Sequence, residues 1–174
     1  MTGMRSARLA AARSALARGD LQTTHRIATA LVAEQPPVAE GYFLLGIVEA
    51  TAGRISVGIA LIEQAVALDP QGEYRAQLAR LLTLVRRDSD AAAVLRDAER
   101  APPGDALSRD TIGCVYTRLG DHAAALPHFE QAVALAPDNS EYRYNHAAAL
   151  SFLGRTTEAD AALEALIARD PGHA

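Results

Sequence analysis

Apolar residues recur at i, i+3, i+4 and i+7 in blocks of about a dozen residues, the spacing of a helix with one buried face. Ala125, Phe129, Ala132 and Leu135 form such a face ahead of Pro137. Ile62, Ala65 and Leu68 do the same ahead of Pro70, and Ala159, Leu163, Leu166 and Ile167 ahead of Pro171. The two-residue alternation of Val, Ile, Thr and aromatics that marks a half-buried strand is missing. Proline cannot continue a helix and drives its predecessor out of the α region, so the proline that follows each block predicts the end of a hairpin. A glycine within each unit fits a sharp turn between two helices, where the first needs a left-handed residue at its end. Asp20 and Asp121 directly follow such glycines and are predicted to cap the second helix of their units.

The punctuation is periodic. Pro36 and Pro70 are 34 apart, as are Pro103 and Pro137, and Pro137 and Pro171. Gly19 and Gly53, and Gly120 and Gly154, are also 34 apart. A fixed period in this range predicts a stack of helical hairpins, none of which can bury its apolar face alone. The expected fold is all-α, a single domain over 1–174 with units near 5–38, 39–71, 72–105, 106–139 and 140–173. The third unit is one residue short, with the gap placed around Pro70–Glu73, and Arg86 stands where glycine is expected.

Composition supports a helical reading: 49% of the 174 residues are apolar, only 5% are aromatic, and alanine occurs in triplets such as Ala147-Ala148-Ala149. All 17 basic residues are Arg, and the net charge is −4, which argues against nucleic acid as a partner. The single Cys114 excludes an internal disulfide. No stretch approaches the ~18 consecutive apolar residues of a membrane span. The start carries Arg5, Arg8, Arg13 and Arg18 without a separate apolar block, unlike a signal peptide. Cytoplasmic residence, no membrane and no nucleic acid are the expectations.

The residues at the repeat positions resemble the tetratricopeptide (TPR) motif. Its best copy reads Ile112-Gly113, Tyr116, Gly120, Ala125, Phe129, Ala132, Pro137, and another reads Tyr42, Leu45-Gly46, Gly53, Gly58, Ile62, Ala65, Pro70. The resemblance implies a right-handed α-α superhelix of five repeats. The small positions Gly46, Ala79, Gly113 and Ala147 would sit where helices approach closely. It also implies a non-catalytic scaffold that binds a protein or peptide partner along the first helices of its hairpins. In this chain the implied groove residues are Glu40, Phe43, Ile47, Glu73, Gln77, Arg80, Asp110, Cys114, Arg118, Tyr144, Asn145 and Phe152. The family's two-carboxylate clamp for chaperone tails needs Lys and Asn at set positions. Of these only Asn145 is present, so that ligand is not expected.

Arg75, Arg109 and Arg143 recur every 34 residues. One reading is a ladder that receives an acidic or phosphorylated ligand. The preferred reading is that each lies over a neighbouring helix and pairs with an acid such as Glu73, Asp110 or Glu141. No motif for phosphate, zinc or nucleophilic catalysis occurs, and His122 and His128, six apart, point to different helix faces. No cofactor and no metal are expected.

The last unit leaves Leu163, Leu166 and Ile167 on a face without a covering helix. Two expectations follow: a homodimer through that end, or a chain that continues. Phrases such as Gly41-Tyr42-Phe43-Leu44-Leu45-Gly46 and Tyr142-Arg143-Tyr144-Asn145 resemble the N-terminal TPR region of bacterial sulfotransferase fusions. That resemblance implies a substrate-recruiting arm of a larger enzyme.

Overall fold

The computed structural model describes residues 2–169, so the expected stop at Pro171 and the last residues of the fifth unit lie outside the described residues. Among the described residues there are ten helices and no strand. They are α1 (Thr2–Ala17), α2 (Leu21–Val32), α3 (Ala39–Thr51), α4 (Ile55–Leu68), α5 (Gly72–Leu84), α6 (Asp88–Ala98), α7 (Ala106–Arg118), α8 (His122–Leu135), α9 (Ser140–Phe152) and α10 (Thr156–Arg169). Consecutive helices pack in antiparallel pairs, giving five hairpins in a row. No described helix is long and apolar enough to cross a membrane.

All five hairpin turns are built alike. The N–H after the turn residue reaches back to a carbonyl five residues earlier: Asp20 to Ala15, Arg54 to Glu49, Arg87 to Leu82, Asp121 to Tyr116 and Arg155 to Leu150, at 2.9–3.0 Å. This bond closes a helix only when the intervening residue is left-handed. Gly19, Gly53, Gly120 and Gly154 supply that conformation, and Arg86 adopts it too, at φ 62°. Asp20 and Asp121 accept from the backbone N–H of Thr23 and Ala124, as their positions predict. Asp105 and Asn139 cap α7 and α9 in the same way.

The short period has a visible seat. The joint after α4 spans residues 69–71, whereas the joint after the equally long α8 spans 136–139. The paired prolines Pro36-Pro37 and Pro102-Pro103 end α2 and α6 early, at Val32 and Ala98. Pro103 then settles on the start of α5. A Cβ on Gly72 would meet the Pro103 backbone nitrogen at 2.7 Å. This contact changes the packing. Elsewhere the first helix of a hairpin lies mainly against the second helix of the hairpin before it, but α7 lies mainly against α5 and barely touches α6. The motif's expected packing of first helix on first helix is therefore pronounced at this one joint only.

The small positions lie where expected. A Cβ on Gly46 would meet Ile62 at 2.6 Å and the Gly58 carbonyl at 3.0 Å, and one on Gly113 would meet the Phe129 ring at 2.6 Å. Ala79 and Ala147 are fully buried. One core cluster runs from α1 to α7 through Phe43, Ile62, Tyr74, Leu95 and Ile112. A second, around Ala125, Phe129, Leu150 and Ala159, holds α8, α9 and α10, and Tyr116 borders both.

Candidate functional site

The first helices of the hairpins (α1, α3, α5, α7 and α9) turn one face toward a common hollow. A cavity of about 460 Å³ touches Arg13 and Leu16 of α1, Phe43 and Ile47 of α3, Glu73, Gln77 and Arg80 of α5, Asp110 and Cys114 of α7, and Glu141 of α9. A hollow that reaches all five of these helices requires the stack to curl around it. A second cavity, about 430 Å³, lies between α7, α8 and α9 and shares Cys114 with the first. Arg118, Asn145, Phe129, Ala148 and Phe152 line it.

The α1 end of the hollow is held by one arginine. Arg13 donates to both carboxylate oxygens of Glu73, at 2.9 and 2.7 Å, and to Glu40 at 3.0 Å, with its Nε 2.5 Å from the other Glu40 oxygen. The buried Tyr74 hydroxyl donates to Glu40 at 2.6 Å. The Tyr74 ring stacks on Phe43 with centroids 4.5 Å apart, and the Arg13 guanidinium lies 5.9 Å from the Phe43 centroid. The bonds to Glu73, then Glu40, hold the Arg13 pKa above its ordinary value. Burial first, and the Glu40 carboxylate second, raise that of the Tyr74 phenol. Three hairpins are tied by this one cluster.

Charges in the middle are less well matched. Arg80 donates through Nε to Gln77 at 2.8 Å and meets no carboxylate among the described residues. Burial, and then the like charge of Arg118, push its pKa down. Asp110 is buried and accepts from Asn145 at 2.9 Å, with the Cys114 sulfur 3.7 Å away. Burial raises the Asp110 pKa against the opposing pull of the Asn145 bond. Burial and the Asp110 charge push the Cys114 thiol up to about 12, so at neutral pH it is a protonated lining group and a poor nucleophile.

Eleven of the twelve expected groove residues therefore share one surface, ten as cavity lining and Glu40 as the anchor of the Arg13 cluster. Tyr144, 54% exposed, lines neither cavity. Phe152 is 66% exposed and stacks on His122 with centroids 4.3 Å apart. Arg13 is absent from the groove residues that the resemblance implies, all of which lie on α3, α5, α7 and α9. Counting the same register into the first unit finds it.

The periodic arginines have another partner than the acids expected of them. Arg75 donates to the Pro70 carbonyl, Arg109 to Pro103 and Arg143 to Pro137, at 2.5, 2.7 and 2.5 Å. Each reaches back from its helix to the carbonyl of the proline in the preceding joint, beyond the end of the helix before it. Among the described residues, no group of three or more His, Cys, Asp or Glu is arranged to hold a metal ion.

Two tetratricopeptide-repeat family models match residues 9–73 and 116–174, which together make up more than half of the chain. The protein FlbA of Caulobacter vibrioides is 38% identical over 95 residues, 55% of this chain but 16% of FlbA. The chain thus spans a small part of that relative. Among solved structures, TTC0263, a thermophilic TPR protein of Thermus thermophilus, matches with a TM-score of 0.73 at 24% identity, over 97% of this chain and 92% of its own. YrrB, described as a TPR protein with an unusual peptide-binding site, matches with a TM-score of 0.71 at 22% identity over 84% of this chain and 76% of its own. The chain belongs with the tetratricopeptide-repeat proteins.

Proposed function

We propose that this tetratricopeptide-repeat stack is an interaction scaffold that binds an extended segment of a partner protein along its inner face. The observation that carries the reading is the pair of cavities meeting at Cys114, one rimmed by charge and one mainly apolar. Apolar pockets with a few convergent polar groups suit a peptide whose side chains anchor it. YrrB, of similar fold, is described as having a peptide-binding site, which supports the same use here.

The test is a random-peptide display selection on the purified protein, repeated on Cys114→Trp, which fills the junction of both cavities. Circular dichroism verifies that the variant folds. Selected peptides are expected to lose at least about tenfold in affinity for the variant, the scale of a lost anchor contact. Peptides that bind both proteins equally would place the interaction elsewhere.

A second reading is that the repeats form the substrate-recruiting arm of a longer enzyme, such as a sulfotransferase. FlbA favours it, because the matched stretch makes up 16% of that protein. The groove serves both readings. A catalytic domain in the same reading frame, before or after these residues, supports the arm, and a reading frame that holds no further domain on either side overturns it.

A further inference from the structure

Stepping by the repeat period carries the Arg13 cluster onto a second place in the groove where one part is missing. Moving on 67 residues takes Arg13 to Arg80 and Glu40 to Leu107, and moving on 68 takes Glu73 to Glu141. All of these except Glu40 line the same cavity. At the first place Arg13 grips two carboxylates. At the second, leucine stands where the first glutamate would be, and Glu141 lies beyond ion-pair distance of Arg80. Arg80 holds only the Gln77 amide oxygen, and Arg118 has no polar contact among the described residues.

We propose that the middle of the groove is a carboxylate subsite, in which Arg80 of α5 and Arg118 of α7 take an acidic side chain from an internal stretch of the partner segment, beside an apolar side chain seated against Phe152. This rests on the groove reading above and names the chemistry of the ligand.

Three observations support it. Arg80, half-buried, and Arg118, exposed, line the two cavities that meet at Cys114, and neither has a carboxylate partner among the described residues, an arrangement an arriving carboxylate relieves. The adjoining cavity is lined by Phe129, Ala148, Ala149 and the exposed Phe152, and it also holds the Thr117 hydroxyl, which is buried without a hydrogen-bond partner. The nearby acids do not neutralise the pair. Asp110 accepts from Asn145, and Glu141 forms no ion pair among the described residues. These two acids also make the site unsuited to several consecutive acidic residues, so the recognised pattern is one Glu or Asp next to an apolar residue. The acidic group is an internal side chain because lining continues on both sides, to Phe43 and Ile47 in one direction and to Phe152 in the other. A chain end at Arg80 would leave half of it empty.

The experiment uses an end-capped peptide library, acetylated and amidated, with a fixed central Phe and with Glu, Gln or Lys at each flanking position. Binding is read by fluorescence anisotropy on the full chain. Wild type is expected to enrich a single Glu at a fixed distance from Phe. In Arg80→Gln/Arg118→Gln the Glu peptides fall about tenfold, to the level of their Gln counterparts, which do not change. Leu107→Glu restores the missing internal carboxylate. It is expected to raise the thermal midpoint and to erase the preference for Glu. Enrichment of Lys, or Glu and Gln peptides that bind wild type equally while still failing on Cys114→Trp, overturns the carboxylate subsite and leaves the groove reading intact. If no enriched peptide depends on Cys114, the groove reading falls and the subsite with it.

Discussion

The end of the groove around Arg13 and the end running from Arg80 of α5 to Phe152 of α9 are built on the same scaffold positions and use them in opposite ways. At the first end Arg13, Glu40, Glu73 and Tyr74 neutralise and hydrogen-bond one another, and the Phe43 ring is stacked beneath them. At the second, among the described residues, Arg80 and Arg118 lack carboxylates and Asp110 is buried without a cation, and Phe152 is largely exposed. A tetratricopeptide stack can thus spend a groove position on joining its own hairpins or leave it open for a ligand. Glutamate at 40 against leucine at 107, and Phe43 against Asp110, are among the changes that separate the two outcomes.

The largest expected difference between the ends lies in how their helices close. Gly58 of α4 faces the Gly46 carbonyl of α3, where an added Cβ would stand 2.8 Å from that backbone oxygen. Backbone cannot swing aside, so Gly58→Ala is expected to cost about 3 kcal/mol, the upper end for overpacking. Gly113 of α7 faces the Phe129 ring, which borders the open cavity and can shift into it. Gly113→Ala is expected to cost about 1 kcal/mol and to weaken peptide binding by filling that cavity. Chemical denaturation of both variants measures the contrast, and equal losses would erase it.

Next in size is the contrast between the two arginines. Arg13→Gln strands the carboxylates of Glu40 and Glu73 beside each other, and the Glu40 side chain is only 12% exposed. Because Arg13 is itself nearly half exposed, the loss is expected to be about 1–2 kcal/mol, below that of a fully buried pair. Arg80→Gln breaks no ion pair and is expected to change stability by less than about 0.5 kcal/mol. Should Arg80→Gln prove the more damaging of the two, the first end would not be the locked one.

Much of this architecture is readable in the sequence because it rests on short-range rules. Amphipathic spacing, a proline stop and a glycine turn act within a few residues, and the five hairpins and the caps at Asp20 and Asp121 follow from them. The candidate groove positions on α3, α5, α7 and α9 came from the resemblance to the repeat family, laid onto this chain's register. What stayed hidden depends on contacts across the stack. Pro103 resting on Gly72 shifts α7 onto α5, and nothing local to either residue announces it. The periodic arginines were legible as a pattern, but their partner was not, since the proline carbonyls they hold carry no side-chain signal.

A smaller contrast concerns pH. Burial raises the folded-state pKa of Asp110 above its ordinary 3.8. The folded chain therefore holds that proton more tightly than the unfolded chain, and the stability linked to it is present below pH 3.8 and lost as pH rises through the folded value. Asp110→Asn cannot ionise. Its thermal midpoint is expected to exceed that of wild type at pH 7, with the gap closing as pH falls toward 3.8. A gap that does not vary with pH would mean that the buried charge is not what strains this end.

The smallest expected effect lies at the seam between the two ends. Four hairpin turns use glycine, and the turn between α5 and α6 uses Arg86 at φ 62°. A left-handed conformation costs an ordinary side chain about 1–2 kcal/mol, while glycine gives back about 0.5–1 kcal/mol through the freedom it has when unfolded. Arg86→Gly is thus expected to stabilise the chain by about 0.5–1 kcal/mol net. For a chain of this size that corresponds to a rise of about 1–4 °C in the thermal midpoint. The Arg86 guanidinium is exposed, its nearest carboxylate being Asp88 at 3.9 Å, so little is lost with it. Gly120→Ala makes the reverse change in the α7–α8 turn, at φ 83° with open space around the added Cβ, and is expected to lower the midpoint by a similar amount. Opposite shifts in the two variants would assign the cost to backbone conformation alone. Shifts of the same sign would mean that the Arg86 side chain holds the seam together through contacts of its own.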